Sequence, residues 1–379
     1  MKVLMIGVPG SGLFLPTIPL GWALRTAGHE VVVANNGAAA AAVTRAGLCA
    51  VDPCPDVDVF AEFMAASYLI NTTAAGQPRP RRGGLGLFGE EMAEGLLAVG
   101  RDYRPDLVVS TLEQGAGPLV AAALGVPHVE QSVRLAWAGD DEVAEGHRRR
   151  IADYLEPTRQ RLGIPEPPAR GATIDPRPPS LGGGERPGRW PARYVPYNEA
   201  RTLPDWLLRP CEKPRVCVTL GTVLSSGSVD GVGALLAALA RTGAEIVVTL
   251  EPGLLDPQEL PGNVRLAGWV PLHALLPSCT AIVHHGGAGT ALTALAAGVP
   301  HLVLPHNADQ PANAEVLVRR GVGVSLDPAA ARPDEAEGAL VRLLTDGAIR
   351  AAAEEVRAEV AAQPPLHTVV DRLEAFAAR

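Results

Sequence analysis

Apolar residues fall in short unbroken runs separated by glycine, proline and charge. Residues 2–7 are apolar after Lys2, the pattern of a strand covered on both faces. A loop is expected over 8–15 and a helix over 16–27, closed by Gly28. Residues 30–34 read as the next strand. The order strand, helix, strand returns at 107–110, 118–124 and 127–131. It restarts with predicted strands at 215–220, 245–250, 264–267, 281–284 and 301–304. Helices are predicted between them at 229–241, 288–297 and 312–320, and the tail from 333 reads as helical. This alternation predicts the α/β class: two Rossmann-like domains with parallel sheets. The expected division is 1–200, a linker at 201–214 carrying Pro204, Pro210 and Pro214, and 215–379. Ligand in such folds sits at the carboxyl ends of the strands, here in a cleft between the domains. Residues 52–95 and 132–190 break the rhythm and read as long loops that cover a substrate.

A length of 379 residues fits two domains of ~100–200 residues each. With 47% apolar residues the chain can fill both cores, which excludes disorder over its length. The net charge of −8 argues against a nucleic-acid partner but allows one small anion held by backbone amides. No apolar run reaches the ~18 residues of a membrane span, and the first residues read as a strand rather than a signal peptide. A cytoplasmic protein is expected. The five cysteines (Cys49, Cys54, Cys211, Cys217, Cys279) include no C-x-x-C pair, so neither a zinc site nor a disulfide framework is expected. Asp56-Val57-Asp58 resembles a metal-binding D-x-D but is read as chance, and no metal or cofactor is expected.

The densest chemistry follows the predicted strand 281–284. There His284-His285-Gly286-Gly287-Ala288-Gly289-Thr290 opens a helix. Glycines let a backbone approach closely, and the free N–H groups of a helix start attract an anion. Thr290 adds a hydroxyl and His285 a ring N–H, so a phosphate or diphosphate is expected. Upstream, Gly268-Trp269-Val270-Pro271 puts an indole at a strand end. Trp269 would stack on a flat base while the backbone around Val270 reads its edge; the plainer reading is a core tryptophan. Downstream, Asp309 beside Gln310, with Asn313 following, suits bidentate bonding to vicinal hydroxyls. Asp309 is equally placed to cap a helix.

In this order the three pieces resemble the donor-binding signature of GT-B nucleotide-sugar glycosyltransferases. More narrowly, they are similar to the family 1 enzymes of actinobacterial antibiotic pathways. Thr219-Leu220-Gly221-Thr222 resembles their first C-domain loop, and 19–31 their first N-domain helix. The resemblance implies that Trp269 stacks on the base. His285, Thr290, Thr222 and the amides of Gly286, Gly287 and Gly289 would hold the diphosphate, and Asp309 and Gln310 the sugar. It implies a thymidine-diphosphate deoxysugar donor, a small aromatic or polyketide acceptor, and no cofactor; a homodimer is left open.

The N-half departs from the family pattern. O-glycosyltransferases of this kind carry a basic His in the first loop, where Gly12-Leu13-Phe14-Leu15-Pro16 puts Leu13. The Asp that orients that His in plant relatives is missing from Val108-Val109-Ser110-Thr111. A base is therefore sought elsewhere: Asp140 first, from a Trp-x-x-Asp element at 137–140, then Asp141, then His306 beside the sugar pair. A Leu-containing first loop also occurs in C-glycosyltransferases acting on phenols. A phenol, with a pKa of ~10, needs less help than an alcohol. The reading is an inverting transferase with an aromatic acceptor, C- or O-linked. Three rivals stand beside it. An epimerase or hydrolase of the same fold would convert donor without acceptor, and a degenerate transferase would only bind. An NAD-dependent oxidoreductase would use Gly7–Gly12, whose G-x-x-G-x-G spacing and following Asn35-Asn36 fit a dinucleotide poorly.

Overall fold

The computed structural model describes all residues except 73–83, 137–141, 169–170, 221–228, 251–252, 254, 329, 331 and 379; side chains are further left aside at 68–72 and 229–231. The first half supplies β1 (Lys2–Ile6), β2 (Glu30–Ala34), β3 (Cys49–Val51), β4 (Leu107–Ser110), β5 (His128–Gln131), β6 (Ala172–Asp175) and β7 (Arg189–Pro191). These pair in parallel in the order β3-β2-β1-β4-β5-β6-β7. The second half supplies β8 (Arg215–Thr219), β9 (Glu245–Val248), β10 (Val264–Leu266), β11 (Ala281–His284), β12 (His301–Val303) and β13 (Gly323–Ser325). Their order is β10-β9-β8-β11-β12-β13, again wholly parallel. Both are Rossmann orders, and in both the strand order reverses beside the first strand.

The apolar runs are the central strands because helices cover both faces of each sheet. In the first sheet, helix Ile18–Thr26 buries Ile18, Leu20 and Leu24 against Val3 and Met5. On the other face Phe88, Met92 and Leu96 of helix Gly86–Tyr103 pack against Leu4 and Ile6. In the second sheet Leu236, Leu239, Leu340 and Leu343 cover Val216, Val218 and Val283. Each fully buried leucine contributes about 1.5–3 kcal/mol relative to exposure.

Three expectations are corrected. The loop expected at 8–15 is already helical over Ser11–Phe14 and runs through a 3-10 turn, Leu15–Thr17, into helix Ile18–Thr26. Pro16 and Pro19 stand at the first positions of their turns, where the missing N–H is no loss. Residues 52–95 are not one long loop but hold helices Val59–Thr72 and Gly86–Tyr103. Residues 132–190 hold the twenty-residue helix Glu142–Arg161, as well as β6 and β7. That helix is highly charged, yet Ala144, Ile151, Leu155 and Thr158 recur on one face and are buried.

The chain does not keep to one half. Helix Leu366–Ala377 returns to the first sheet, where Val369, Val370 and Leu373 join its core and Phe376 meets Trp190 edge-on at 5.8 Å. Leu135, Leu181 and Tyr194 of the first half are buried among Ala291, Leu292, Leu295 and Leu317 of the second. The two halves are thus joined by a shared apolar core as well as by the linker. Among the described residues no helix is long and apolar enough to cross a membrane.

Candidate functional site

The order reversal of the second sheet lies between β8 and β11, whose last residues, Thr219 and His284, are register partners. The loop after β11 therefore opens into the crevice where open α/β sheets bind ligand. Gly286 has φ +89°, and an added Cβ would come within 3.0 Å of Val303 and 3.1 Å of the Gln310 carbonyl, so no side chain fits there. Gly287 is the N-cap of helix Ala288–Ala297, and no side chain caps that helix start. A Cβ on Gly287 would strike Nε2 of His285, so the missing side chain leaves room for the imidazole over the helix start. Gly289 and Thr290 lie in the first turn. Across the cleft, Pro16 of the first half is the nearest neighbour of Gly289, 3.9 Å from where its Cβ would be. Tyr194 donates to the Gly289 carbonyl at 3.3 Å.

Burial pushes the His285 imidazole down to about 4, against the pull of the Asp309 carboxylate. It is neutral at pH 7 and can donate one N–H without bringing a charge. Behind it, His284 and His301 are fully buried and share a bond, Nε2 to Nδ1, of 3.0 Å. The Gly286 N–H donates to His284 Nδ1 at 3.1 Å, so His284 must carry its proton on Nε2 and donate to His301. The pair thereby fixes the backbone of Gly286 from inside the sheet.

Burial holds His284 well below the ordinary histidine range and His301 at about 3. Below pH ~6.5 the unfolded chain binds these protons and the native chain does not, so stability falls as pH falls. Between pH 7.5 and 5.5 the loss should be on the order of 1 kcal/mol for each group, and the buried His285 adds a share of similar size. Urea unfolding at the two pH values checks this, and His301→Asn should remove about a third of the difference, one share of three. An unchanged pH dependence in that variant would contradict the assignment.

Asp309 and Gln310 begin helix Gln310–Arg320, after Ala308 in the left-handed region at φ +53°. Asp309 stands at the N-cap but makes no capping bond. One oxygen, Oδ2, instead accepts from Asn313 Nδ2 at 3.2 Å and from Arg134 Nη1 at 3.2 Å. Gln310 folds back: Oε1 accepts from the His306 and Asn307 amides at 2.9 and 3.2 Å, and Nε2 donates to Asn307. One Nε2 proton remains for a ligand. His306 is exposed on the same loop. Trp269 is half-buried, its Nε1 donating to the Asn198 carbonyl at 3.2 Å, so one ring edge is tied to the linker side. Val270 is buried behind it. Asp140, Asp141 and Thr222 lie outside the described residues.

The matching reversal of the first sheet lies between β1 and β4, with Ile6 opposite Ser110. Its two loops are tied by Gln114 Nε2, which donates to the Gly7 carbonyl at 2.9 Å. Leu13 packs there with Phe60 and Phe63, and Phe63 stacks on Phe88 at 4.5 Å. Glu113, three residues past the end of β4, was not among the expected site residues. Its carboxylate is fully buried and accepts from Arg134 Nε at 2.6 Å. Burial alone would raise the Glu113 carboxyl, but the charge and hydrogen bond of Arg134 outweigh it and hold it below the usual range. A wholly buried carboxylate held by an arginine is a poor proton acceptor. Of the acidic triplet, Asp58 caps helix Val59–Thr72 by accepting from Ala61 N at 3.0 Å. No group of His, Cys, Asp and Glu among the described residues could hold a metal ion.

The chain is similar to known proteins over its whole length. A family described as erythromycin biosynthesis protein CIII-like matches at residues 22–221 by its N-terminal domain and at 233–376 by its C-terminal domain. The 10-deoxymethynolide desosaminyltransferase of Streptomyces venezuelae is 33% identical, covering 100% of this chain and 98% of its own length. The elloramycin glycosyltransferase ElmGT of Streptomyces olivaceus is 35% identical over 98% of this chain and 97% of its own. Among solved structures, the glycosyltransferase SnogD from Streptomyces nogalater superposes with a TM-score of 0.81 at 38% identity, covering 100% and 99% of the two chains. The glycosyltransferase SsfS6 of Streptomyces sp. SF2575, complexed with thymidine diphosphate, gives 0.81 at 33% identity, covering 99% of each chain.

Proposed function

As the chain belongs to the erythromycin biosynthesis protein CIII-like family and is a glycosyltransferase of GT-B fold, we propose that it moves a deoxysugar from dTDP to an aromatic polyketide acceptor, with inversion. The observation that carries this reading is the uncapped start of helix Ala288–Ala297 beneath the neutral imidazole of His285. Backbone amides and one uncharged N–H facing a cleft suit a diphosphate in both its bound and leaving forms. Trp269 would stack on the base, and the free Oδ1 of Asp309 with the spare Nε2 proton of Gln310 would take the sugar hydroxyls. The thymidine preference is supported by the neighbour complexed with thymidine diphosphate.

The step is a single displacement. The acceptor oxygen or ring carbon bonds to the anomeric carbon from the face opposite the diphosphate. The bond from that carbon to the phosphate oxygen breaks, and its electron pair leaves on the phosphate. Asp140, with Asp141 and His306 as alternates, takes the acceptor proton. No step of this scheme calls on a metal or cofactor. Leu13 and the partly buried rings of Phe60 and Phe63, the latter stacked on the core ring of Phe88, give the acceptor side an apolar, aromatic character. That character favours a phenolic ring, and Leu13 in place of a basic His favours linkage through carbon.

A thermal-shift titration with dTDP, UDP, ADP and NAD, each with and without magnesium, tests the donor half. The expected result is selective stabilisation by dTDP, unchanged by the metal, of about 2.7 kcal/mol at a hundredfold excess over Kd. No shift with any nucleoside diphosphate would overturn the reading, and a shift with NAD alone would favour the oxidoreductase.

A further inference from the structure

The sugar subsite of the second half is completed by the first. Three consecutive residues after β5 reach across. Arg134 Nη1 pairs with Asp309 Oδ2 at 3.2 Å. Leu135 is buried among Ala291, Leu292 and Leu317. The Ala136 N–H donates to Asn313 Oδ1 at 2.9 Å. Asn313 is itself fully buried and returns its amide to Asp309 at 3.2 Å and to the Gly286 carbonyl at 2.8 Å. Behind Arg134, Glu113 holds the guanidinium by Nε at 2.6 Å, so the arginine is fixed at both ends. The carboxylate of Asp309 is thus oriented by two donors on one oxygen, which among the described residues leaves Oδ1 as the acceptor for a ligand hydroxyl.

We propose that Arg134, backed by Glu113, is a positioning residue that sets Asp309 for the donor sugar and ties sugar recognition to the closed arrangement of the two halves. The inference rests on the reading of Asp309 as a sugar-binding residue. Arg134 would not touch the transferred sugar. It holds the carboxylate in one rotamer with a charge-assisted contact, in a cleft only 15% accessible at that side chain. Because its anchor is in the other half, anything that parts the halves would also release Asp309. The diphosphate subsite, built from the backbone at 286–290 and His285, shares no contact with Arg134 among the described residues.

Affinity for dTDP-glucose and for dTDP, measured by calorimetry on Arg134→Gln, Arg134→Lys, Glu113→Gln and Asp309→Asn, separates the roles. Arg134→Gln should weaken dTDP-glucose by at least ~10-fold, the loss expected when a charge-assisted orienting contact goes, and leave dTDP within twofold. Arg134→Lys and Glu113→Gln should fall between it and the parent protein. The double variant Arg134→Gln, Asp309→Asn should be no worse than Asp309→Asn alone, because both act on one carboxylate. If Asp309→Asn discriminates between the two ligands and Arg134→Gln does not, the positioning role is overturned and the sugar reading of Asp309 stands. If Asp309→Asn weakens neither or both equally, the sugar reading falls and the inference falls with it. Loss of dTDP binding in both Arg134 variants would assign Arg134 to folding alone and overturn the proposal.

Discussion

Asp140→Asn is expected to lower kcat by about 10²–10⁴-fold, the range a positioned general base contributes, while leaving affinity for dTDP unchanged. By the family resemblance Leu13 stands where a histidine would take the acceptor proton, and its apolar side chain, packed against the first core as Phe60 and Phe63 are, accepts nothing. The carboxylate that the first sheet does offer at that switch point, Glu113, is wholly buried and neutralised by Arg134. His306 is exposed on the donor loop. Asp140 therefore has the largest share of the chemistry to lose. Steady-state rates with a phenolic acceptor, read beside dTDP binding, check this. Full turnover in Asp140→Asn would remove the residue from the mechanism and pass the role to Asp141 or His306. Hydrolysis of donor at the parent rate without acceptor would instead favour the hydrolase reading.

The second large effect is expected at His285. His285→Ala should lower kcat by about 10²–10³-fold, the loss found when one preorganised donor to a developing anion is removed. The magnitude follows from its setting. The imidazole is neutral because burial holds it at about 4, so its N–H is present over the working pH range without competing for a proton. Its benefit grows as charge develops on the leaving phosphate, so kcat should suffer more than donor affinity. Gly287→Val offers a second route to the same result, since a Cβ at 287 strikes the ring and must displace it. Loss of donor affinity with kcat unchanged in His285→Ala would show uniform binding rather than stabilisation of the leaving group.

Much of this molecule was legible before its structure. Strands β1, β4, β8 and β11 each carry an apolar run of three or four residues because both faces are covered, and such a run is visible without knowing what covers it. The glycine-rich start of helix Ala288–Ala297 was legible for a related reason: the role proposed for it resides in backbone N–H groups, which glycine spacing reports directly. The short strands β3, β6, β7 and β13, of three or four residues, gave no readable period. Helix Glu142–Arg161 was hidden by its charge, because only one narrow stripe of it is buried.

At the site the division is sharper. Trp269, His285, Asp309 and Gln310 stood out because they cluster along the chain beside strand ends. Glu113 and Arg134 did not, although 21 residues separate them and a 2.6 Å bond joins them. Nothing in sequence spacing reports a contact between loops of different strands, still less one that continues to Asp309 in the other half. The capping role that sequence allowed Asp309 was likewise decided only in space, where Arg134 and Asn313 claim its oxygen. Local pattern by itself determined the two α/β halves and the glycine-rich helix start, while the reading of Leu13 as standing in a histidine's place came from the family resemblance. Only the tertiary structure decided which buried charges meet, because ion pairs between halves depend on how two sheets are brought together. That arrangement is set by the shared core of Leu135, Tyr194 and Leu292 rather than by any residue's neighbours in the chain.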